Sequence, residues 1–270
     1  GLVYAWHPVH VEAVASVVGR AELLAAAGIL GAVLAARRGA WRGAVLCAAL
    51  AMFSKEHGVI AGVMILIDRW LDERSPSPDG REPAPSGARG GQGVRTPAWL
   101  WVGLGIVTTG FLVLWASVGV AGASAPAAVF YGRDTFARLA IALPAVLRAT
   151  LLLFLPVSLS SDYSPQVIPA YEGISLAAIL GLLIVIAVPV LVVACRRRAP
   201  AISFAVALAA LSFLPTSNLL FAGGIVLAER NLYLAAAVPA VLIGSVMTAL
   251  MQPRRTPQAP RTSPAVLTGS

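Results

Sequence analysis

The residues able to do chemistry gather where they are least welcome. His7, His10, Glu12, Arg20 and Glu22 stand beside, or inside, the start of a run that is otherwise apolar. Ionisable groups are costly in a membrane helix and usually face a cavity or one another. On a continuous helix, Glu12, Ser16, Gly19, Arg20 and Glu22 would share an arc of about 160°. The bland alternative is a helix end whose charges snorkel to headgroups.

The rare residue types point the same way. All three histidines (His7, His10, His57), the single lysine (Lys55) and both asparagines (Asn218, Asn231) fall in short polar stretches between apolar runs. Capping accounts for part of this, since Ser217 and Asn218 could cap a following helix. Clustered carboxylates with cations at a membrane's edge suit transfer from a lipid-linked phosphate. Cations hold the leaving phosphate as charge develops on it, and a carboxylate takes the proton of an acceptor hydroxyl.

Arg20, Lys55, His57 and Arg230 are the candidate phosphate partners. Glu12, Asp162 and Glu229 are the candidate catalytic carboxylates. His7, His10, Glu22, Glu56, Tyr163, Asn218, Asn231 and Tyr233 are expected to line the site, with Glu229 and Tyr233 sharing a helix face at i and i+4. His7-Pro8-Val9-His10 with Glu12 is a weak metal signal, because a loop does not fix the two rings on one face. No metal site and no firm cofactor is expected.

Composition sets the frame that must position these groups. The chain has 270 residues, 58% of them hydrophobic, with a mean hydropathy of +0.83. That describes an all-α, polytopic integral membrane protein. The net charge of +8 lies in arginine clusters beside apolar runs, as cytoplasmic flanks do, which excludes a nucleic-acid reading. Cys47 and Cys195 do not form a disulfide framework. The arginine- and alanine-rich composition suggests a bacterial origin, hence an inner membrane with the active face toward the periplasm.

Eight apolar segments emerge at 12–36, 43–53, 58–71, 98–121, 137–158, 173–195, 201–214 and 229–251, giving about seven to eight membrane helices. The pair 43–53 and 58–71 is short and reads as a hairpin, or as one helix broken at Ser54-Lys55-Glu56-His57-Gly58. With Arg37/Arg38, Arg196–Arg198 and Arg254/Arg255 inside, the stretches 54–57, 160–172 and 215–228 lie outside. A hairpin then requires 137–158 to lie at the interface or re-enter; a single broken helix lets it cross. Residues 1–251 form one membrane domain, with a disordered cytoplasmic loop at 72–97 and a disordered, Pro-rich cytoplasmic tail at 252–270.

Four stretches in order carry a resemblance: HPVHVEAVASVVGRAELL (7–24), SKEHG (54–58), LSSDYS (159–164) and FLPTSNLLFAGGIVLAERNLYL (213–234). Together they resemble the membrane part of the transmembrane and tetratricopeptide-repeat O-mannosyltransferases, within the GT-C glycosyltransferase class. The resemblance implies a membrane glycosyltransferase of GT-C-like fold. It would move mannose from a polyprenyl- or dolichyl-phosphate donor to a protein Ser or Thr hydroxyl on the external face. Membrane lipid, the lipid-linked sugar and a protein acceptor are the implied partners.

GT-C enzymes place their principal acid in the first external loop, which would precede Gly1, and a repeat domain would follow the membrane part. The competing classes are a transporter or channel using the Glu12–Glu22 face, against which no inverted repeat is seen, and a non-catalytic lipid-binding scaffold.

Overall fold

The computed structural model describes residues 1–72, 96–122, 126–157, 159–160, 163 and 173–251, with the side chains of 119–122 left aside. The loop expected at 72–97 and the tail at 252–270 fall almost wholly outside those residues, as does Asp162. Among the described residues every regular element is helical. In chain order they are α1 (Leu2–Ala5), α2 (His10–Ala15), α3 (Arg20–Arg37), α4 (Trp41–Ser54), α5 (Ala61–Asp72), α6 (Ala98–Gly122), α7 (Thr135–Phe154), α8 (Leu176–Cys195), α9 (Pro200–Phe213) and α10 (Ala237–Met251). Short 3₁₀ turns cover Glu56–Ile60, Ala128–Phe130, Leu214–Thr216 and Glu229–Leu232.

Four stretches are long and apolar enough to cross a membrane: Ala98–Val118, Thr135–Phe154, Leu176–Cys195 and Glu229–Met251. The helices α4 and α9 are apolar but shorter, and α3 carries Arg20, Glu22 and Arg37. The count of seven to eight spans depends on including such helices.

The first predicted segment is divided. α2 ends at Ala15, and α3 starts only at Arg20, with Ser16 in an extended conformation between them. The turn folds back so tightly that a Cβ on Gly19 would sit 2.2 Å from the Ala13 carbonyl oxygen. The arc drawn through Glu12, Ser16 and Glu22 therefore does not exist, and Glu12 and Glu22 meet different partners.

The SKEHG break resolves as a hairpin. The Arg69 guanidinium near the end of α5 lies 5.3 Å from the ring of Trp41 at the start of α4 and donates to the Ala36 carbonyl of α3 at 2.6 Å. One residue earlier, the buried carboxylate of Asp68 takes two hydrogen bonds from Arg37 Nε, at 2.9 and 3.0 Å, and pairs with Nη2 as well. Arg196, at the end of α8, lies 5.1 Å from the ring of Trp70. One end of the bundle is thus an arginine-rich belt, while the break at 55–60 returns to the start of α3, at the opposite end.

Small residues make the helices fit. Ala26, Ala32, Ala36, Ala44, Ala48, Ala51 and Ala61 are buried in one cluster with Ile29, Met52, Met64 and Ile65. Close approach of backbones is how membrane helices gain packing energy when lipid is as apolar as the side chains. At Gly28 a Cβ would lie 2.7 Å from the Cys47 carbonyl and 2.8 Å from the Ala51 nitrogen, whereas Gly105 on α6 has nothing within 4 Å. Gly28→Val should cost about 1–3 kcal/mol by overpacking, read as a melting midpoint lower by several degrees in detergent. Gly105→Ala should leave the midpoint unchanged or raise it; equal effects would refute this account of the α3–α4 crossing.

Candidate functional site

Two ion pairs bring distant parts of the chain together at the end opposite the arginine belt. In the first, the Arg230 guanidinium pairs with Glu12, and the Arg230 backbone N–H donates to the other Glu12 oxygen at 3.0 Å. In the second, Lys55 Nζ lies 3.1 Å from Glu22 Oε1. His57 Nδ1 stands 3.4 Å from Glu22 Oε2, and Glu56, half-exposed, is 3.9 Å from Lys55. Arg230 is near enough to act electrostatically on Glu22, so the two pairs form one cluster.

Glu22 and His57 are buried. Burial drives the His57 pKa down to about 4, with Glu56 raising it and Lys55 lowering it by smaller amounts. His57 is therefore neutral near pH 7, and Lys55 supplies the charge that balances Glu22.

A fourth carboxylate is held differently. Glu229 Oε1 accepts from the Tyr163 hydroxyl at 2.6 Å and from the Ser160 N–H at 2.7 Å. Burial, then the Glu229 hydrogen bond and charge, hold the Tyr163 hydroxyl protonated well beyond its usual range, so Tyr163 is a donor here. The Arg148 guanidinium of α7 lies 6.0 Å from the Tyr163 ring.

The helix expected from 229 begins instead as a 3₁₀ turn, with α10 starting only at Ala237. Glu229 and Tyr233 consequently do not act as an i, i+4 pair. The Tyr233 ring packs on His10 with centroids 4.5 Å apart, and its carbonyl accepts from the Tyr4 hydroxyl at 3.0 Å. Tyr4 meets His10 edge-on at 4.6 Å. Burial lowers the pKa of His10, so this aromatic box is uncharged near neutrality. His7 is spent on the backbone: Nδ1 accepts from the Val9 N–H at 3.3 Å, which leaves Nε2 as donor to the Leu153 carbonyl at 2.9 Å. Among the described residues no group of three or more His, Cys, Asp or Glu is placed to hold a metal ion.

The structure thus joins Glu12, Glu22, Lys55, Glu56, His57 and Arg230, and sets Glu229 with Tyr163 and His10 with Tyr233. It leaves Arg20 exposed at the start of α3, two residues from Glu22 and so on another face of the helix. Asn218 does not cap a helix. With φ of 60° it closes its own loop, its amide donating to the Ile225 and Val226 carbonyls at 3.1 and 2.9 Å and accepting from the Gly223 N–H at 2.7 Å. Asn231 contributes a backbone N–H to the Ala228 carbonyl. Tyr4, Arg148 and Ser160 are additions; of these only Arg148, an arginine inside an apolar run, left a signal in the sequence.

This chain is similar to a protein O-mannosyl-transferase. It is 30% identical over 279 residues to "Protein O-mannosyl-transferase Tmtc3" of Drosophila melanogaster, an alignment that takes in 86% of the chain. The chain spans 30% of the length of that relative. No family model matches the chain, and no solved structure matches it.

Because His57 binds a proton less readily folded than unfolded, the unfolded chain takes up more protons between about pH 6.5, the ordinary value, and about 4. Stability should be complete above that window and fall as pH drops through it. His57→Gln should flatten the fall in thermal midpoint between those pH values; an unaltered slope would remove His57 as its source.

Proposed function

We propose that the chain is the membrane part of a glycosyltransferase that moves a sugar, mannose by the resemblance, from a polyprenyl-phosphate donor to a Ser or Thr hydroxyl of a protein on the external face. The observation that carries this reading is the cluster itself: two cations, Lys55 and Arg230, held by Glu22 and Glu12 across long sequence separations at one end of the helix bundle.

In such a transfer the bond from the sugar C1 to the phosphate oxygen breaks as the acceptor oxygen attacks C1. Charge then develops on the phosphate that remains with the lipid, and preformed cations lower the barrier where that charge appears. Glu12 and Glu22 hold the two cations in place, so the donor phosphate completes their coordination without a search among rotamers. Glu229, oriented by Tyr163 and Ser160, would position an acceptor group, and Asp162, next to Tyr163 in the sequence, is a candidate base for the proton that the acceptor hydroxyl gives up.

A cleft of about 680 Å³ supports the lipid half of the reading. It runs from Tyr4, beside the aromatic box, past Leu30, Val33, Phe204 and Leu208 to Arg37 and Asp68. Its walls are mainly apolar and suit an isoprenoid chain, and neither Lys55 nor Arg230 lines them.

The test is transfer of mannose from polyprenyl-phosphate mannose to a Ser/Thr peptide by the full-length protein in proteoliposomes. Lys55→Ala and Arg230→Ala should each lower the rate about 100-fold while gel filtration and membrane insertion stay as in the parent. Parental rates in both variants, or no transfer by the parent with any lipid-linked sugar, would sink the proposal.

A further inference from the structure

The helix α7 is long and apolar enough to cross a bilayer, yet the described chain before and after it lies at one end of the bundle. α6 runs alongside α4 in the same direction. A Cβ on Gly103 would meet Val45 at 3.3 Å, Thr108 donates to Met52 Sδ at 3.8 Å, and Phe111 packs edge-on against Phe53 at 5.8 Å. Since α4 climbs from the arginine belt at Trp41 to the site at Lys55, α6 also ends on the site side. α8 finishes at the belt, with Arg196 against Trp70. Twenty residues at 1.5 Å each make it about 30 Å long, so it starts on the site side. The chain between α6 and α8 therefore leaves and returns on one side.

Contacts at the two ends of α7 agree, while between them it packs closely on the first half of α8, where a Cβ on Gly181 would lie 2.0 Å from the Leu143 carbonyl oxygen. Before it, the Ala127 N–H donates to the Gly223 carbonyl at 2.9 Å. Near its start, Arg138 donates to the Leu220 carbonyl at 2.6 Å. Near its end, the Leu153 carbonyl accepts from His7. Its buried face, from Ile141 to Leu153, packs with Val9, Phe130, Tyr163, Val226, Leu227 and Leu232, all from connections or turns at the site end. Large apolar side chains nonetheless stay exposed there: Phe136 on α7, and Leu220 and Phe221 on the loop that Arg138 holds.

We infer that α7 does not span the membrane but lies along the leaflet at the site end, and that Phe136, Leu220 and Phe221 rest in the lipid of that leaflet. An interfacial helix of this kind satisfies its own backbone and buries apolar side chains a few ångströms below the headgroups. Asp134, whose carboxylate caps the helix through the Ala137 N–H at 2.8 Å, and Arg138 then stay at headgroup level, where their charges cost little. The inference does not depend on the activity proposed above.

Single cysteines in the full chain, with Cys47 and Cys195 replaced by alanine, test it in sealed vesicles. Arg133→Cys and Val157→Cys flank α7 and are exposed positions; Arg198→Cys marks the arginine belt. A membrane-impermeant maleimide should reach Arg133→Cys and Val157→Cys from one side and Arg198→Cys only from the other. Val157→Cys or Arg133→Cys reacting from the Arg198 side would overturn the inference. A nitroxide on Phe221→Cys should collide more often with oxygen than with a water-soluble nickel chelate, and the reverse order would remove the lipid contact.

Discussion

The constraint on which the site depends is that its carboxylates and cations cannot afford to be alone. Removing an ion from water costs several kcal/mol even after relaxation, and the cost is recovered only when a partner is close and well oriented. Glu22 is buried, so the start of α3 and the 55–57 break must meet. Glu12 binds both the side chain and the backbone of Arg230, so the chain's first turns and the entry to α10 must meet too. Pairs of this kind contribute little net stability, but they penalise every arrangement that leaves one member unpaired. The polar cluster thus selects the register in which apolar helices, which could otherwise slide past one another, are locked.

The second property of the site is that its buried histidines carry no charge. His57 and His10 are both pushed toward their uncharged forms by burial, and each strong cation already has a carboxylate. Under the proposed function, an entering phosphate would meet cations already paired with carboxylates rather than a bare positive patch. Such a site discriminates by geometry more than by net attraction, which suits a membrane surface crowded with anionic headgroups.

Much of this was legible in the sequence, for definite reasons. Hydropathy marked α6, α8 and α10, because a long apolar run has few other uses, and the isolation of Lys55 and His57 in a composition with so few residues of their types marked the break between α4 and α5. What failed was periodicity across short breaks. The wheel through Glu12 and Glu22 assumed a helix that Gly19 interrupts, and the pairing of Glu229 with Tyr233 assumed α-helical geometry where a 3₁₀ turn stands. Asn218 was misjudged as a cap because its loop-closing role depends on carbonyls at 225 and 226 that acquire their position only in the fold. The partners of Glu12 and Glu229 lie 218 and 69 positions away, beyond any local pattern.

The two ends of α3 are tied to the same hairpin by pairs of opposite polarity: acid on α3 to base at the top, base on α3 to acid at the bottom. A slip of α3 by one turn, about 5.4 Å, would break both at once and could not re-form either with the charges reversed. The α3–α4–α5 unit is therefore a fixed post. Whatever breathing admits a bulky guest has to come from the other wall of the cleft, where α9 and α10 offer only apolar contacts that can slide and re-form.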